Sequence, residues 1–136
     1  LTAKHDLAQD MGHASARPLD LHLGDYDPSG VHLFNALAED VGAMVQELGG
    51  IDPEFIRLAV TPEQIAQMAL PTAPPKQTDR RSFADDFTVQ CEAIPPNALA
   101  QILRDAIETR QCSDTRAAVM ASEEQDRETL GKWIKQ

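Results

Sequence analysis

The stretch that most constrains this chain is Leu19 to Gly30, LDLHLGDYDPSG. Leu19, Leu21 and Leu23 alternate with Asp20 and His22, the two-residue period of a strand. Gly24 ends the run, and Asp25 and Asp27 follow with Tyr26 between them. Pro28 has the fixed φ of a first helical residue, and Asp27 just before it is a good N-cap. The stretch therefore predicts a short strand, a sharp turn and the start of a helix. It puts two carboxylates on a loop leaving the C-terminal end of a strand, the edge where open α/β sheets bind ligands.

Two carboxylates one residue apart on such a loop can share one hard cation. Mg²⁺ prefers oxygen ligands, keeps several waters, and is usually held by one or two carboxylates together with substrate phosphates. The plainer alternative is that Asp25 is a turn residue and Asp27 only a helix cap. Gly30 costs stability in a first helical turn relative to Ala, so its presence predicts a close approach by backbone or ligand, or simple tolerance near a helix end.

The rest of the chain alternates. Residues 1–12 read as a helix, with Leu1, Lys4, His5, Ala8 and Met11 on one face. From Pro28 to about Leu48, Val31, Phe34, Ala38, Val41, Val45 and Leu48 make one apolar stripe, and Gly49-Gly50 ends it. Phe55–Val60 (FIRLAV) predicts a second, interior strand. Thr61, Pro62 and Gln64 open a short capped helix ending near Leu70. Residues 71–81, PTAPPKQTDRR, form a Pro-rich loop in which Lys76, Arg80 and Arg81 are candidate phosphate contacts, or merely solvated charges. Phe87–Cys91 (FTVQC) predicts a third strand, with Glu92 a further carboxylate at its C-terminal end. A helix opens at Pro95-Pro96-Asn97 with an apolar stripe from Leu99 to Ile107, and a polar helix runs from Ser113 or Asp114 to near Gln136. Strand–helix alternation of this kind predicts a parallel sheet covered by helices on both faces. The expected division is one α/β domain over 1–112 and a C-terminal polar helix over 113–136.

The chain has 136 residues and a formal net charge of −10. That charge argues against tight unaided binding to duplex DNA, which needs a basic face, although a cation held by the acidic loop can still meet a phosphate. No apolar run is long enough to span a membrane. Cys91 and Cys112 lack metal-ligand spacing and read as reduced thiols of a cytoplasmic protein.

GDYDPSG resembles the DxDPxG motif of Toprim domains, in the form found in the DNA-cleaving A subunit of type VI topoisomerases and its meiotic relative. It is still more similar to Toprim-type proteins of phages and mobile elements. The resemblance extends through Phe55–Val60, TPEQI, Leu70-Pro71, PPKQTDRR and CEAIPPNAL, covering most of residues 17 to 108. It implies a Toprim-like, Rossmann-like parallel sheet flanked by helices, with Asp25 and Asp27 holding Mg²⁺ (or Mn²⁺) and Glu92 as a possible third catalytic acid. The parent protein would then carry out metal-dependent phosphodiester chemistry on DNA as a nuclease or topoisomerase-type breaker. The family also places a glutamate after its first strand, before the first helix. Here no residue matches it, so the family's first strand is expected to be lacking and this chain alone to be inactive. The family's cutting tyrosine lies in another domain, and Tyr26, the sole tyrosine here, reads as a packing or positioning group. Two other expectations stand beside this one. One is a degenerate, non-catalytic Toprim module that docks on a partner chain or a second copy. The other is an α/β domain binding some other phosphorylated ligand.

Overall fold

The structure, a computed structural model, describes residues 3–75, 83 and 85–134. Strand β1 (Leu19–Leu23) pairs in parallel with β2 (Glu54–Ala59), and helix α2 (Pro28–Glu47) makes the crossover. A parallel pair needs a connection of about a dozen residues or more, and α2 with its flanking turns supplies it. Leu21 lies opposite Ile56 and His22 opposite Arg57; an irregularity after His22 then sets Leu23 opposite Ala59. Pairing continues beyond the strands. Gly24 N–H donates to Ala59 O at 2.8 Å and Val60 N–H to Gly24 O at 2.7 Å. The two chain segments therefore leave the sheet side by side, at the same edge.

Both segments turn at once into capped helices. Asp27 caps α2 by accepting from Gly30 N–H, with Pro28 in the first turn. Thr61 caps α3 (Pro62–Met68) in a capping box: its side chain accepts from Gln64 N–H, and the Gln64 side chain accepts from Thr61 N–H. These are the caps the sequence predicts, because a cap is a contact between residues only three apart.

The core lies where α1 (Ala3–Gly12) meets α2. Ala8, Met11, Val41 and Val45 are buried together, with Leu7, Leu37, Met44 and Phe55 of β2 packed against them. Val41 and Val45 are fully buried, and each contributes about 1.5–3 kcal/mol over an exposed valine. The helix ends touch closely: a Cβ at Gly50 would lie 2.8 Å from Gly12 Cα, and one at Gly12 would lie 2.9 Å from Leu48 Cδ1. Gly49, at φ +72°, supplies the left-handed turn that ends α2.

The molecule is thus α/β, with a two-stranded parallel sheet flanked by helices among the described residues. The third strand expected over Phe87–Cys91 does not form. Thr88 and Val89 each make one isolated antiparallel bridge, to Ala73 and to Tyr26, and the chain then enters a 3₁₀ turn at Cys91–Ala93. Its two pairing residues are divided between two different partners, so no ladder extends. Glu92 accordingly sits in that turn with an exposed side chain, not at the end of a strand.

The chain divides into two compact units, Leu1–Ala100 and Gln101–Gln136, with the boundary inside α4 (Pro96–Glu108). In the second unit, α5 (Ser113–Ile134) is polar along most of its length and carries an exposed Glu123–Arg127 ion pair at 2.7 Å. Its apolar residues Val119 and Trp133 are 62% and 74% exposed. Among the described residues no helix is long and apolar enough to cross a membrane.

Candidate functional site

The edge at which β1 and β2 release the chain carries Gly24, Asp25, Tyr26 and Asp27 on one side and Val60 and Thr61 on the other. Asp25 and Asp27 line one cavity of about 170 Å³, together with Pro28, Ser29, Val89 and Gln90. Each carboxylate is oriented by a backbone donor. Asp25 Oδ1 accepts from Cys91 N–H at 2.8 Å, and Asp27 Oδ1 accepts from Gly30 N–H at 2.6 Å. Gly30 has the close neighbour its position predicts: a Cβ there would lie 2.5 Å from Asp25 O and 3.1 Å from Asp27 Oδ1. The approach is by the loop's own backbone.

Tyr26 does not line that cavity and has other partners. Its O–H donates to Asp85, and its ring lies 5.1 Å from that of Phe83 and 6.1 Å from that of Phe87, centroid to centroid. Its backbone exchanges both hydrogen bonds with Val89, at 2.8 and 2.9 Å. Burial, then the Asp85 hydrogen bond and charge, push the phenol up to about 12. A phenol held as a donor, away from the aspartate cavity, is a clamp between the two loops, in keeping with a positioning group.

The sequence reading missed Arg57. It stands in β2 opposite His22, and its guanidinium reaches across to the carboxylate loop. It donates to Gly24 O at 3.0 Å, to Asp25 O, to Gly30 O at 3.2 Å and to Val60 O at 3.1 Å. Burial lowers its pKa, while the charges of Asp27 and then Asp25 raise it. The signal in the sequence was one arginine inside the otherwise apolar run FIRLAV. A half-buried cation within an apolar strand needs acceptors, and the strand itself offers none to a side chain.

Glu92 has an exposed side chain and is not among the residues that line the aspartate cavity. It lines a neighbouring cavity of about 490 Å³ with Pro71, Ala73 and Pro74. Thr88 and Gln90 border both cavities. Between Glu92 and Asp25 stands Cys91, whose thiol is pushed up by burial and then by those two carboxylates. Lys76, Arg80 and Arg81 lie outside the described residues.

Among the described residues there is no group of three or more His, Cys, Asp and Glu side chains that could hold a metal. The donor set here is two hard carboxylates facing one cavity. That set suits a divalent cation which keeps most of its waters and takes further oxygens from a phosphate; it does not suit a zinc site, which needs three or four protein ligands, mostly N or S. The comparisons with known proteins found no matching family model, no similar curated protein and no similar solved structure.

Proposed function

We propose that Asp25 and Asp27 hold Mg²⁺ (or Mn²⁺) in a Toprim-like domain, and that the protein to which this chain belongs performs metal-dependent phosphodiester chemistry on DNA in the cytoplasm. The observation that carries this reading is the pair of carboxylates turned into one cavity, each fixed at one oxygen by a backbone N–H. A carboxylate anchored in this way loses little side-chain entropy when it takes a ligand. When bound, the cation would neutralise charge at an attacked phosphate. The chain's own residues orient the two carboxylates and, through Thr88 and Gln90, border the space a phosphodiester would enter.

A second reading is a non-catalytic module of the same descent, serving as a scaffold for a partner chain or a second copy. The placement of Glu92 on the neighbouring cavity favours it, since two carboxylates engaged on a cation leave no free carboxylate as general acid or base. Calorimetric titration of the chain with Mg²⁺ and Mn²⁺, beside Asp25→Asn and Asp27→Asn, tests the first reading. Saturable binding in the parent that both variants lose is the expected result. No binding at millimolar metal by the folded chain would overturn it and leave the scaffold reading.

A further inference from the structure

Backbone hydrogen bonds tie the carboxylate loop at Gly24, to Ala59 and Val60, and at Tyr26, to Val89; at Asp25 its backbone carbonyl accepts from a side chain. Between the end of β1 and the start of α2 the chain turns, and the carbonyls of Gly24, Asp25 and Gly30 all accept from one side chain, with Gly24 O accepting from Val60 N–H as well. That side chain is Arg57. Four of the five N–H donors of a guanidinium go to backbone carbonyls: three on the carboxylate loop and the first turn of α2 (Gly24, Asp25 and Gly30), and one on the β2–α3 connection (Val60). A side chain so occupied has little left with which to grip a phosphate.

We infer that Arg57 is the positioning residue of the aspartate loop, holding the turn in its ligand-ready shape before any cation arrives. The inference rests on the metal-binding reading of Asp25 and Asp27 for its consequence, but its structural content is independent of that reading. Two effects of Arg57 on a cation oppose each other. Its positive charge beside Asp25 and Asp27 repels a divalent ion, so charge alone predicts tighter metal binding once Arg57 is removed. Its grip on the three carbonyls keeps the carboxylates converged, so positioning predicts weaker binding. Loss of residues that orient metal ligands typically costs 10- to 100-fold in affinity, whereas the four hydrogen bonds of Arg57 go to carbonyls and not to the carboxylates, which leaves its charge one step removed from a cation they hold. Positioning therefore wins. A lysine keeps the charge but has one nitrogen and no fork, so it cannot span the same set of carbonyls.

The test uses Arg57→Met and Arg57→Lys in the full chain, read in two ways. In the metal-free protein, amide exchange at Cys91 and Gly30, the donors to Asp25 and Asp27, is expected to quicken at least tenfold in Arg57→Met. Amides of the α1–α2 core, such as that of Val45, are expected to keep their rates. Mg²⁺ affinity is expected to fall tenfold or more in Arg57→Met and by less in Arg57→Lys, and millimolar guanidinium ion is expected to restore part of it in Arg57→Met. Tighter Mg²⁺ binding in Arg57→Met, or parent affinity in Arg57→Lys, would mean that Arg57 acts only as a charge. Uniformly faster exchange throughout the first unit would mean that it is only a stability element. If Arg57→Met does not fold, Arg57→Lys decides: faster exchange at Cys91 and Gly30 with weaker Mg²⁺ binding supports the inference, and parent values on both overturn it. Absence of Mg²⁺ binding by the parent protein would sink the metal reading, while the exchange result would still judge the role of Arg57 in the loop.

Discussion

The backbone N–H of Cys91 donates to Asp25 Oδ1 at 2.8 Å, joining residues 66 apart in sequence. One of the two candidate ligand carboxylates is therefore oriented by the turn that carries the neighbouring Glu92. Asp27, by contrast, is oriented from within its own helix start, by Gly30. The same motif is built half from local and half from long-range contacts.

This separates two substitutions at Asp25. Asparagine keeps an acceptor oxygen for Cys91 N–H and removes the charge. The expected outcome is nearly unchanged stability with loss of Mg²⁺ binding. Alanine removes the acceptor as well and strands a partly buried donor, which costs about 1–2 kcal/mol. Urea denaturation of both variants checks this. Equal stability of the two would show that the Cys91 bond carries no weight.

Glycines 30 and 42 both lie in α2, and helix propensity alone favours Ala over Gly at each by up to about 1 kcal/mol. Their surroundings differ. At Gly42 an added methyl meets nothing within 4 Å. At Gly30 it would sit 2.5 Å from a backbone oxygen, which cannot step aside as a flexible side chain can. Gly42→Ala is expected to stabilise by about 0.5–1 kcal/mol, and Gly30→Ala to destabilise by about 1–3 kcal/mol while weakening metal binding. Thermal melts of the pair give the signs directly. A stabilised Gly30→Ala would contradict the close approach of Asp25 O.

The features legible in the sequence share one property: their partners lie within a few residues. Asp27 with Gly30, Thr61 with Gln64, and the left-handed Gly49 are all set by local geometry, as is the 3.6-residue stripe of Val41 and Val45 on α2. Arg57 and the Phe87–Cys91 segment were opaque because their structure depends on what the chain meets elsewhere. FTVQC has the residue types of a strand, but Thr88 pairs with Ala73 and Val89 with Tyr26, and no single neighbour runs alongside both. Arg57 reads as one charge in a strand until the carbonyls of Gly24, Asp25 and Gly30 are placed beside it. The placement of Glu92 follows the same rule: its character was visible, the cavity it lines was not.

Tyr26 offers a clean optical test, since it is the only tyrosine in the chain. Its folded pKa, pushed up to about 12 by burial and by Asp85, lies above the ordinary value of about 10. A raised folded pKa means that the folded state holds its proton longer. The associated stability is fully present below about pH 10 and is lost as pH rises toward 12. Phenolate absorbance is expected to titrate near 12 in the folded chain and near 10 in denaturant, with Asp85→Asn lowering the folded midpoint. A folded midpoint near 10 would show that Tyr26 is not clamped to Asp85.

His22 tests the opposite sign. Its ring packs on Phe34, 5.1 Å between centroids, and its Nε2 lies where a Cβ on Gly24 would fall, 2.7 Å away. Burial first, then the positive charge of Arg57 opposite it, lower its pKa below 6.5; Asp20, two residues earlier on the strand, works the other way. The folded state therefore binds this proton less readily than the unfolded chain. The stabilising contribution is present above about pH 6.5 and is lost as the pH falls below that value, because the unfolded histidine charges first. Denaturation midpoints of the parent protein are expected to fall between pH 7.5 and 5.5, and those of His22→Gln to fall less. Removing the Arg57 charge should bring the His22 titration, followed by its ring proton resonances, back toward 6.5. Parallel pH profiles for parent and His22→Gln, or a parent His22 titrating at or above 6.5, would show that neither burial nor Arg57 holds this ring neutral, and with that the packing of β1 against α2 at Phe34 would need a different account.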